Sequence, residues 1–533
     1  MTVSGRGILT RTQAMGVAAI ALGISVFLSR ILGLIRDKVI SYYFGAGAEA
    51  DVYFMAFVVP DFLNYLLAGG YFSITLVPLL AMSFNRDEKD GWEFFSSAVT
   101  WAALAIGILT FMAWLGTPWL SRLLAPDFTA EAQQRLSVFL RIILPAQVCF
   151  LPGACFTAML YHRRQFAVPA LTPLIYNGCI ILCGILWLFL FPEKGMEGFC
   201  WGVLIGAALG SFLLPMFAVR SGGMQFRFNL KHPLLKKLLL LALPLMLGQS
   251  IVALDEQFVR IFGSLTGEGG VSLLNYARRI MLVPVGVVAQ AAGLASYPFL
   301  AALAAAGEKE RFDESLNQAT TNTLLVALPL SLWMLVAAEP IMRLIFQQGS
   351  FTPENASQSG LLLAIMLAGV AFWAIQQVLG RAFYARQDTL TPALAGTFAS
   401  AAAIPLYWFG AQYLGASGVA AAGTAGVIMY TLILCRTWRK RFGGGALKGL
   451  AVRGGQALLF CLPACAAAYC VLSVSGMVFA QNSLLGAAVK IVASGVGFAI
   501  VYLGGTALFA PAVCSPIMEF CTKAGRKLFR RRP

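Results

Sequence analysis

The chain has 533 residues, of which 59% are hydrophobic and only 12% are charged, and its formal net charge is +16. Soluble globular proteins have about 25% charged residues, and half of that share cannot cover the water-facing surface of so long a chain. The composition therefore excludes a soluble globular protein and indicates a polytopic integral membrane protein.

Apolar segments long enough to cross a bilayer as helices, which takes about 20 residues, recur along the whole chain. The first leads into further apolar segments without a small-residue cleavage site, so it predicts a spanning helix rather than a signal peptide. Prolines and paired glycines in the second and eighth segments predict kinks there. We predict fourteen spans, near residues 14–36, 50–83, 95–120, 134–161, 167–191, 196–219, 235–263, 270–303, 317–346, 357–384, 390–413, 416–436, 455–476 and 484–511.

The arginines and lysines between these segments are distributed unevenly. Loops after even-numbered segments are basic, as in "YHRRQF" after the fourth and "CRTWRKRF" after the twelfth, whereas loops after odd-numbered segments are nearly without basic residues. Arg36 and Lys38, at the edge of the first loop, are the main exception. The positive-inside rule then predicts that both termini face the cytoplasm, which agrees with an even number of spans.

The composition also bears on partners and cofactors. Basic clusters between apolar segments are typical of contact with anionic membrane lipids, and we expect no nucleic acid among the partners. The eleven cysteines lie mostly inside apolar segments, where cysteine behaves as a small hydrophobic residue. Because the chain has only two histidines, His162 and His232, we expect no metal site and no cofactor.

Charged residues inside the apolar segments are the candidate functional residues, because a charge near the bilayer centre costs about 2.5–3.5 kcal/mol even on insertion scales. In the first segment, Arg30, Gly33 and Asp37 share one helical face, and Gly33 lets another backbone or a ligand approach closely. Arg36 lies about 120° round the helix from Arg30. Asp51 opens the second segment.

Further charges occur in the seventh and eighth segments. The seventh holds Asp255, Glu256 and Arg260, and the eighth opens with Arg278 and Arg279. Arginine presents a planar fork that suits phosphate oxygens, so arginines around one cavity would suit an anionic, phosphorylated substrate. Snorkelling to the membrane surface and pairing with one another are the structural alternatives for these residues.

Transport fits this sequence better than catalysis does. The chain has no GxxxxGK[ST] loop for nucleotide-driven transport, and its extracytoplasmic loops are short and poor in the carboxylates and histidines of a membrane transferase. The stretches "FGAGAEADVYFMAF" (44–57) and "FGSLTGEGGVSLLNYA" (262–277) are weakly alike. An internal duplication is ordinary for a transporter, with its site between the two halves near the midplane.

Six stretches, spread in order along the chain, identify a known family. The clearest is "SRILGLIRDKVISYYFGAGAEADVYFMAF" (29–57). The others are "GGYFSITLVPLL" (69–80), "FAVPALTPLIYN" (166–177), "LLNYARRIMLVPVGV" (273–287), "LIFQQGSFT" (344–352) and "RAFYARQDTLTP" (381–392). As a set they resemble the MurJ (MviN) family, the lipid II flippases of peptidoglycan synthesis.

This resemblance implies the multidrug/oligosaccharidyl-lipid/polysaccharide exporter fold, an all-α polytopic membrane protein of about 14 transmembrane helices. Two pseudo-symmetric six-helix lobes would surround a central cavity, and two C-terminal helices would line a groove for the lipid tail. We therefore predict an N-terminal lobe at residues 1–230, a C-terminal lobe at 231–450, and two extra helices with a basic cytoplasmic tail at 451–533.

The function that the resemblance implies is transport of a glycolipid. Family members move undecaprenyl-diphosphate-linked muropeptide from the inner to the outer leaflet of the bacterial cytoplasmic membrane by alternating access. We therefore expect a multi-pass inner-membrane flippase without enzymatic activity, with a polyprenyl-diphosphate glycolipid as substrate and cell-wall synthesis proteins as further partners. A flippase for another such glycan (O-antigen, capsule or exopolysaccharide) and a scaffold for wall synthesis are the alternatives.

The resemblance also points to site residues. Arg30, Arg36, Asp51 and Arg279 match charged positions that the family uses in its cavity. Together with Gly33, which shares a helical face with Arg30, they are the predicted substrate-binding residues.

The chain departs from the family's pattern at several positions. Asn64 and Gly69 stand where typical members have a basic and then an acidic residue, and Leu282 stands where an acidic residue often follows the arginine. Asp255 and Glu256 are predicted to couple transport to an ion. The eleventh segment, however, holds no Asn or Asp that would complete the sodium site known in some members. These departures leave both the glycolipid and the coupling ion open.

Overall fold

The structure, a computed structural model, describes residues 15–67, 71–226, 231–478, 484–511 and 513. These residues are helical almost throughout and contain no strand, which confirms the predicted all-α class. The helices are α1 Met15–Phe44, α2 Ala48–Met55, α3 Val58–Leu67, α4 Tyr71–Arg86, α5 Glu88–Leu115, α6 Thr117–Leu124, α7 Ala130–Ile143, α8 Gln147–His162, α9 Ala167–Leu190, α10 Glu197–Gly206, α11 Leu214–Ser221, α12 Pro233–Gly263, α13 Gly270–Pro284, α14 Ala291–Ala305, α15 Lys309–Val336, α16 Ala338–Phe346, α17 Pro353–Leu367, α18 Val370–Ala385, α19 Leu390–Phe442, α20 Leu450–Val478 and α21 Leu484–Phe509.

Where the structure describes them, the ranges predicted as spans are helical. Within the described residues, nine helical segments are long and apolar enough to cross a membrane, and the bent pair α17–α18 makes a tenth. One of the nine, α19, is broken at Gly415, where φ is 59°, and it covers the eleventh and twelfth predicted spans. The first, second and seventh predicted spans coincide with α1, α2–α4 and α12. The count of fourteen crossings stays a prediction.

The expected irregularities occur in the second and eighth spans. The second is divided into α2, α3 and α4, with a break just before α3. Pro60 is the third residue of α3, where a missing N–H costs little because first-turn amides have no partner within the helix. In the eighth, α13 ends at Pro284 and a π-helical turn, Val285–Gln290, precedes α14. Prolines and π turns are common causes of helix distortion.

The chain forms two compact units, residues 1–272 and 273–533. Helix α12 belongs to the first unit, where it packs against α3 and α4. From the sequence, the residues of α12 were predicted to begin the C-terminal lobe at 231–450. The predicted lobe boundaries at 230 and 450 stay predictions.

In the first unit, α9 packs closely against both α1 and α10. A Cβ atom at Gly202 would lie 2.6 Å from the Ile180 Cα, and one at Gly206 would lie 2.9 Å from the Tyr176 carbonyl oxygen. Only glycine allows α10 to approach α9 so closely. On the other side of α9, Ser25 of α1 donates a hydrogen bond to the carbonyl of Ala170.

Polar contacts join the turns that follow odd-numbered spans in the first unit. Arg135, in the second turn of α7, contacts Glu49 at 2.8 Å and Glu197 at 2.5 Å. Glu49 also accepts a hydrogen bond from the Met196 amide, and Glu268 accepts one from the Ala48 amide, both at 3.0 Å. The turns after the first, third, fifth and seventh spans therefore lie at one end of this unit.

Turns after even-numbered spans meet in the same way within each unit. In the first, His232 lies 3.2 Å from Asp90, between the turns after the sixth and second spans. In the second, Arg441 contacts Asp388 at 2.5 Å, between the turns after the twelfth and tenth. The alternation predicted from the basic residues thus agrees with the way the turns group.

We predict that Arg135 stabilises the first unit through this turn cluster. Its guanidinium is only 26% exposed and serves two carboxylates, so Arg135→Gln should lower the free energy of unfolding by about 1–3 kcal/mol. The measurement is the thermal unfolding midpoint of the purified protein in detergent. The control is Arg311→Gln, which removes a 74% exposed arginine paired with Glu308. Equal midpoints for the two variants would contradict the prediction.

Candidate functional site

The first candidate cluster lies where α1 faces α9. The Arg36 guanidinium donates to Asp37 through Nη2 at 2.8 Å and Nε at 3.0 Å, and its Nη1 reaches Asn177 of α9 at 3.5 Å. The Arg36 side chain is 13% exposed and that of Asp37 is fully buried. Asn177 also donates to Ser29 Oγ at 3.4 Å and to the Pro173 carbonyl at 3.0 Å. Arg36 is therefore a largely buried cation with a fixed orientation.

The other predicted residues of α1 lie on either side of this cluster. A Cβ atom at Gly33 would lie 4.0 Å from Asn177 Oδ1, so Gly33 faces the same amide that Arg36 contacts. Arg30 has an exposed side chain. The structure thus brings Gly33 and Arg36 together around Asn177, with Arg30 on the exposed surface of the same helix.

Asp51 is bound to the backbone of the chain. Its buried carboxylate accepts hydrogen bonds from the Gly269 amide at 2.6 Å and from the Ser272 amide at 2.7 Å. These amides lie at the N-terminus of α13, where N–H groups have no partner within the helix and the helix dipole favours an anion. Asp51 therefore acts as a helix cap supplied by another segment, and each of its carboxylate oxygens accepts one backbone N–H.

A second cluster of charges connects α3 and α12. Arg260 donates to Asp61 at 2.6 Å and to Glu256 at 2.8 Å, and its side chain is only 10% exposed. Its Nη1 also lies 3.4 Å from Gln257 Oε1. Two carboxylates thus share one guanidinium, and the trio carries a formal charge of −1. The sequence identified Glu256 and Arg260, but the partner Asp61 was missed.

Two positions that are charged in typical family members, one on α3 and one on α13, are uncharged in this chain. Asn64 is half-buried on α3, three residues after Asp61, so the two share a helical face. This helix therefore carries an acidic residue one turn before the position at which the resemblance implies a basic one. Leu282 is half-buried, and Gly69 lies outside the described residues.

Arg279 and Asp255, the remaining predicted residues, lie in different units. Arg279 is half-buried on the part of α13 that belongs to the second unit. The guanidinium of its neighbour Arg278 lies 5.9 Å from the ring centre of Trp373. Asp255 is half-buried on α12, next to Glu256 in the chain. Among the described residues, no group of three or more histidines, cysteines or carboxylates could hold a metal ion.

The first comparison with known proteins concerns sequence. A family model described as "Lipid II flippase MurJ" matches residues 40–489. A Rhizobium meliloti protein named "Probable lipid II flippase MurJ" is 30% identical over 425 residues, which cover 78% of this chain and 79% of that protein. A Vibrio cholerae protein of the same name is 27% identical over 422 residues, which cover 77% and 80%.

Solved structures share the fold. The structure titled "Lipid II flippase MurJ, inward closed conformation" matches with a TM-score of 0.75 at 24% identity, over 93% of this chain and 100% of that one. A multidrug resistance MATE family transporter of the MOP superfamily, in an inward-facing conformation, matches with a TM-score of 0.68 at 14% identity. These likenesses confirm the predicted exporter fold. Because the family model extends through both units, from residue 40 to residue 489, the chain belongs to the MurJ family of lipid II flippases.

Proposed function

We propose that this protein is a flippase that moves lipid II from the inner to the outer leaflet of the bacterial cytoplasmic membrane by alternating access. The observation that carries the proposal is the family match, which covers both units. The buried Arg36 adds chemical support, because a guanidinium inside a membrane protein can replace the water around a diphosphate with charge-assisted hydrogen bonds. Transport of this kind makes and breaks no covalent bond, so no enzymatic activity is proposed.

In the proposed site, residues of α1 and α13 have different roles. Arg30, Arg36 and Arg279 are the cationic anchors for the substrate diphosphate. Gly33 leaves room for the substrate opposite Asn177, where a side chain would otherwise stand. Asp51 contributes indirectly, because it fixes the N-terminus of α13, the helix that carries Arg279.

The trio of Asp61, Arg260 and Glu256 is the proposed site of coupling to a cation. With a formal charge of −1 and a largely buried guanidinium, it favours an added positive charge. Binding of a cation to either carboxylate would weaken its hold on Arg260 and so loosen the contact between α3 and α12. The neighbouring carboxylate, Asp255, is the alternative site of coupling if the trio is structural.

A flippase for another polyprenyl-diphosphate glycan is the alternative, and the departures at Asn64 and Leu282 favour it. Complementation separates the two functions. The protein is expressed in a strain depleted of its own lipid II flippase, and transport of lipid II is assayed directly. Rescue with transport supports the proposal. Failure of a normally abundant protein to rescue, together with rescue of a strain that lacks a glycan flippase, would favour the alternative.

We propose that both termini face the cytoplasm and that the turn at Ser417 faces outward. In a variant without its native cysteines, Ser417→Cys should react with a membrane-impermeant thiol reagent in intact cells. Gly444→Cys, which follows the next helical segment, should react only after the membrane is opened, because the basic residues at Arg439–Arg441 keep that end inside. The opposite pattern of labelling would overturn the orientation.

We predict that Arg30 binds substrate through its planar fork. Arg30→Ala should abolish complementation, and Arg30→Lys should impair it because lysine keeps the charge but cannot form two parallel hydrogen bonds. Membrane abundance is measured beside growth, and Arg343→Ala, which removes an arginine paired with Glu339, is the control. Full complementation by Arg30→Ala would exclude Arg30 from the site. A loss of abundance would assign it a structural role.

For coupling, we predict that Glu256→Gln changes the dependence of transport on the cation gradient, whereas Asp255→Asn does not. Glu256 shares a guanidinium with Asp61, and its neutralisation removes the net negative charge of the trio. Transport is measured in vesicles under imposed proton and sodium gradients. An unchanged gradient dependence in Glu256→Gln, at normal abundance, would show that the trio is structural.

A further inference from the structure

The second unit contains a cavity of about 570 Å³ that belongs to none of the clusters above. It lies among the end of α14, the start of α15, the end of α18 and the end of α19. These are the turns after the eighth, tenth and twelfth spans, at the basic end of the unit. Its volume is within the range of about 300–1,000 Å³ that is usual for small-molecule sites.

Arg386 is held in the wall of this cavity by aromatic rings. Its guanidinium carbon lies 4.5 Å from the ring centre of Phe312, 4.7 Å from that of Phe442 and 5.7 Å from that of Trp438. Cations are attracted to ring faces at such distances. The buried Nε of Arg386 has no hydrogen-bond partner within the described part of the chain. The Arg386 guanidinium is therefore fixed in place, and its Nε–H has no hydrogen-bond acceptor among the residues that the structure describes.

The first unit contains a turn of the same backbone geometry after α8, but the arginine in that turn has a different hydrogen-bond partner. Arg163 follows α8 as Arg386 follows α18, and the residue after each has a positive φ, 57° at Arg164 and 60° at Gln387. The Arg163 guanidinium lies 5.0 Å from the ring centre of Trp92. It also donates to the Gly222 carbonyl at 2.9 Å. In the first unit a backbone carbonyl thus serves as acceptor for the arginine.

The charges around the cavity favour an anion. Lys309 and Arg386 line it, and Glu308 is the one carboxylate among its lining residues. Glu308 is already paired with Arg311 at 2.8 Å. Asp313, at 3.9 Å from Arg386, is the other nearby carboxylate, and it is too distant for a hydrogen bond. The lining therefore has a net positive charge.

Much of the remaining wall is apolar, although Gln387 and the tyrosines Tyr297 and Tyr384 also line it. Leu303, Ala301 and Phe442 line the cavity. Earlier on α14, Leu294 is 58% exposed and Phe299 is 72% exposed, as expected for side chains that face acyl chains. An occupant of this cavity would meet the fixed cation of Arg386, the exposed Lys309 and the apolar side chains beside them. Amphiphiles with an acidic headgroup combine an anionic part with an apolar part in this way.

We propose that this cavity binds the phosphate headgroup of one acidic phospholipid. Arg386 and Lys309 contact the phosphate, and the glycerol and upper acyl chain lie along Leu303 and Phe442. Under the orientation proposed above, the lipid comes from the cytoplasmic leaflet. The site does not depend on lipid II transport, so it can be tested on the purified protein whether or not the flippase proposal holds.

The experiment titrates the full-length protein in a zwitterionic detergent with phosphatidylglycerol and counts bound lipid by native mass spectrometry. Phosphatidylcholine is the comparison lipid. We expect one phosphatidylglycerol to bind with an affinity well above that of later additions. Lys309→Gln should weaken this first binding about fivefold, because a basic residue near a lipid surface contributes roughly that factor. Lys309 is exposed, so its replacement should not disturb the fold.

Two further variants distinguish binding in the cavity from diffuse attraction of the lipid to the basic end of the unit. Lys440→Gln removes an exposed charge at the same end of the unit without touching the cavity, and it should leave the first binding unchanged. Ala301→Phe fills the cavity while keeping every charge, and it should abolish the first binding. Thermal unfolding of each variant confirms that it is folded.

The proposal fails if Lys309→Gln and Lys440→Gln weaken binding equally, since the attraction would then be diffuse. It also fails if a folded Ala301→Phe binds the first lipid normally. Competition distinguishes the source of the phosphate. Inorganic phosphate in excess should not displace the lipid, because it lacks the apolar contacts. Displacement would assign the site to a soluble phosphate and overturn the lipid proposal.

Discussion

The fold depends on the requirement that charged and backbone polar groups inside the bilayer find partners within the protein, because hydrocarbon offers none. Arg36 meets this requirement with Asp37 and Asn177, and Arg260 meets it with Asp61 and Glu256. Each arrangement joins helices that are distant in sequence, α1 with α9 and α3 with α12. Between α3 and α12, loss of Arg260 would leave Asp61 as an uncompensated, largely buried charge, so this ion pair specifies that the two helices pack together.

The same requirement explains why Asp51 stands at the start of a spanning segment. The N-terminal amides of α13 have no partner within the helix, and water is the usual substitute at a surface. Here a buried carboxylate takes both the Gly269 and Ser272 amides, so that α13 begins at a fixed point. Each oxygen of Asp51 accepts one backbone N–H, so this carboxylate holds the N-terminus of α13 in place.

Local properties of the sequence were sufficient for much of the fold. Apolar length predicted the helices, and basic loops predicted the alternation that the turn contacts reproduce, because both signals are carried by neighbouring residues. Asp61 was missed since its partner Arg260 is 199 residues away, and no periodicity reports such a pairing. Asn177 was also missed, because a single amide in an apolar segment does not by itself indicate a functional residue. Its role becomes visible only when the structure places α1 beside α9. The motifs supplied the candidate residues of α1, while their partners required coordinates.

The turns at Arg163 and Arg386 have the same backbone geometry but different side-chain contacts. In both, the backbone closes through the same pattern: the residue after the arginine donates to the carbonyl of Tyr161 or Tyr384, and the next donates to that of Leu160 or Phe383. The chain reversal therefore does not depend on what the guanidinium contacts. In the first unit that side chain is used to bind the Gly222 carbonyl, and a Cβ at Gly222 would lie 2.3 Å from it. In the second unit the rings and the Asp313 carboxylate, at 3.9 Å, hold Arg386 beside a cavity, and within the described residues the turn closes without any hydrogen bond from that side chain.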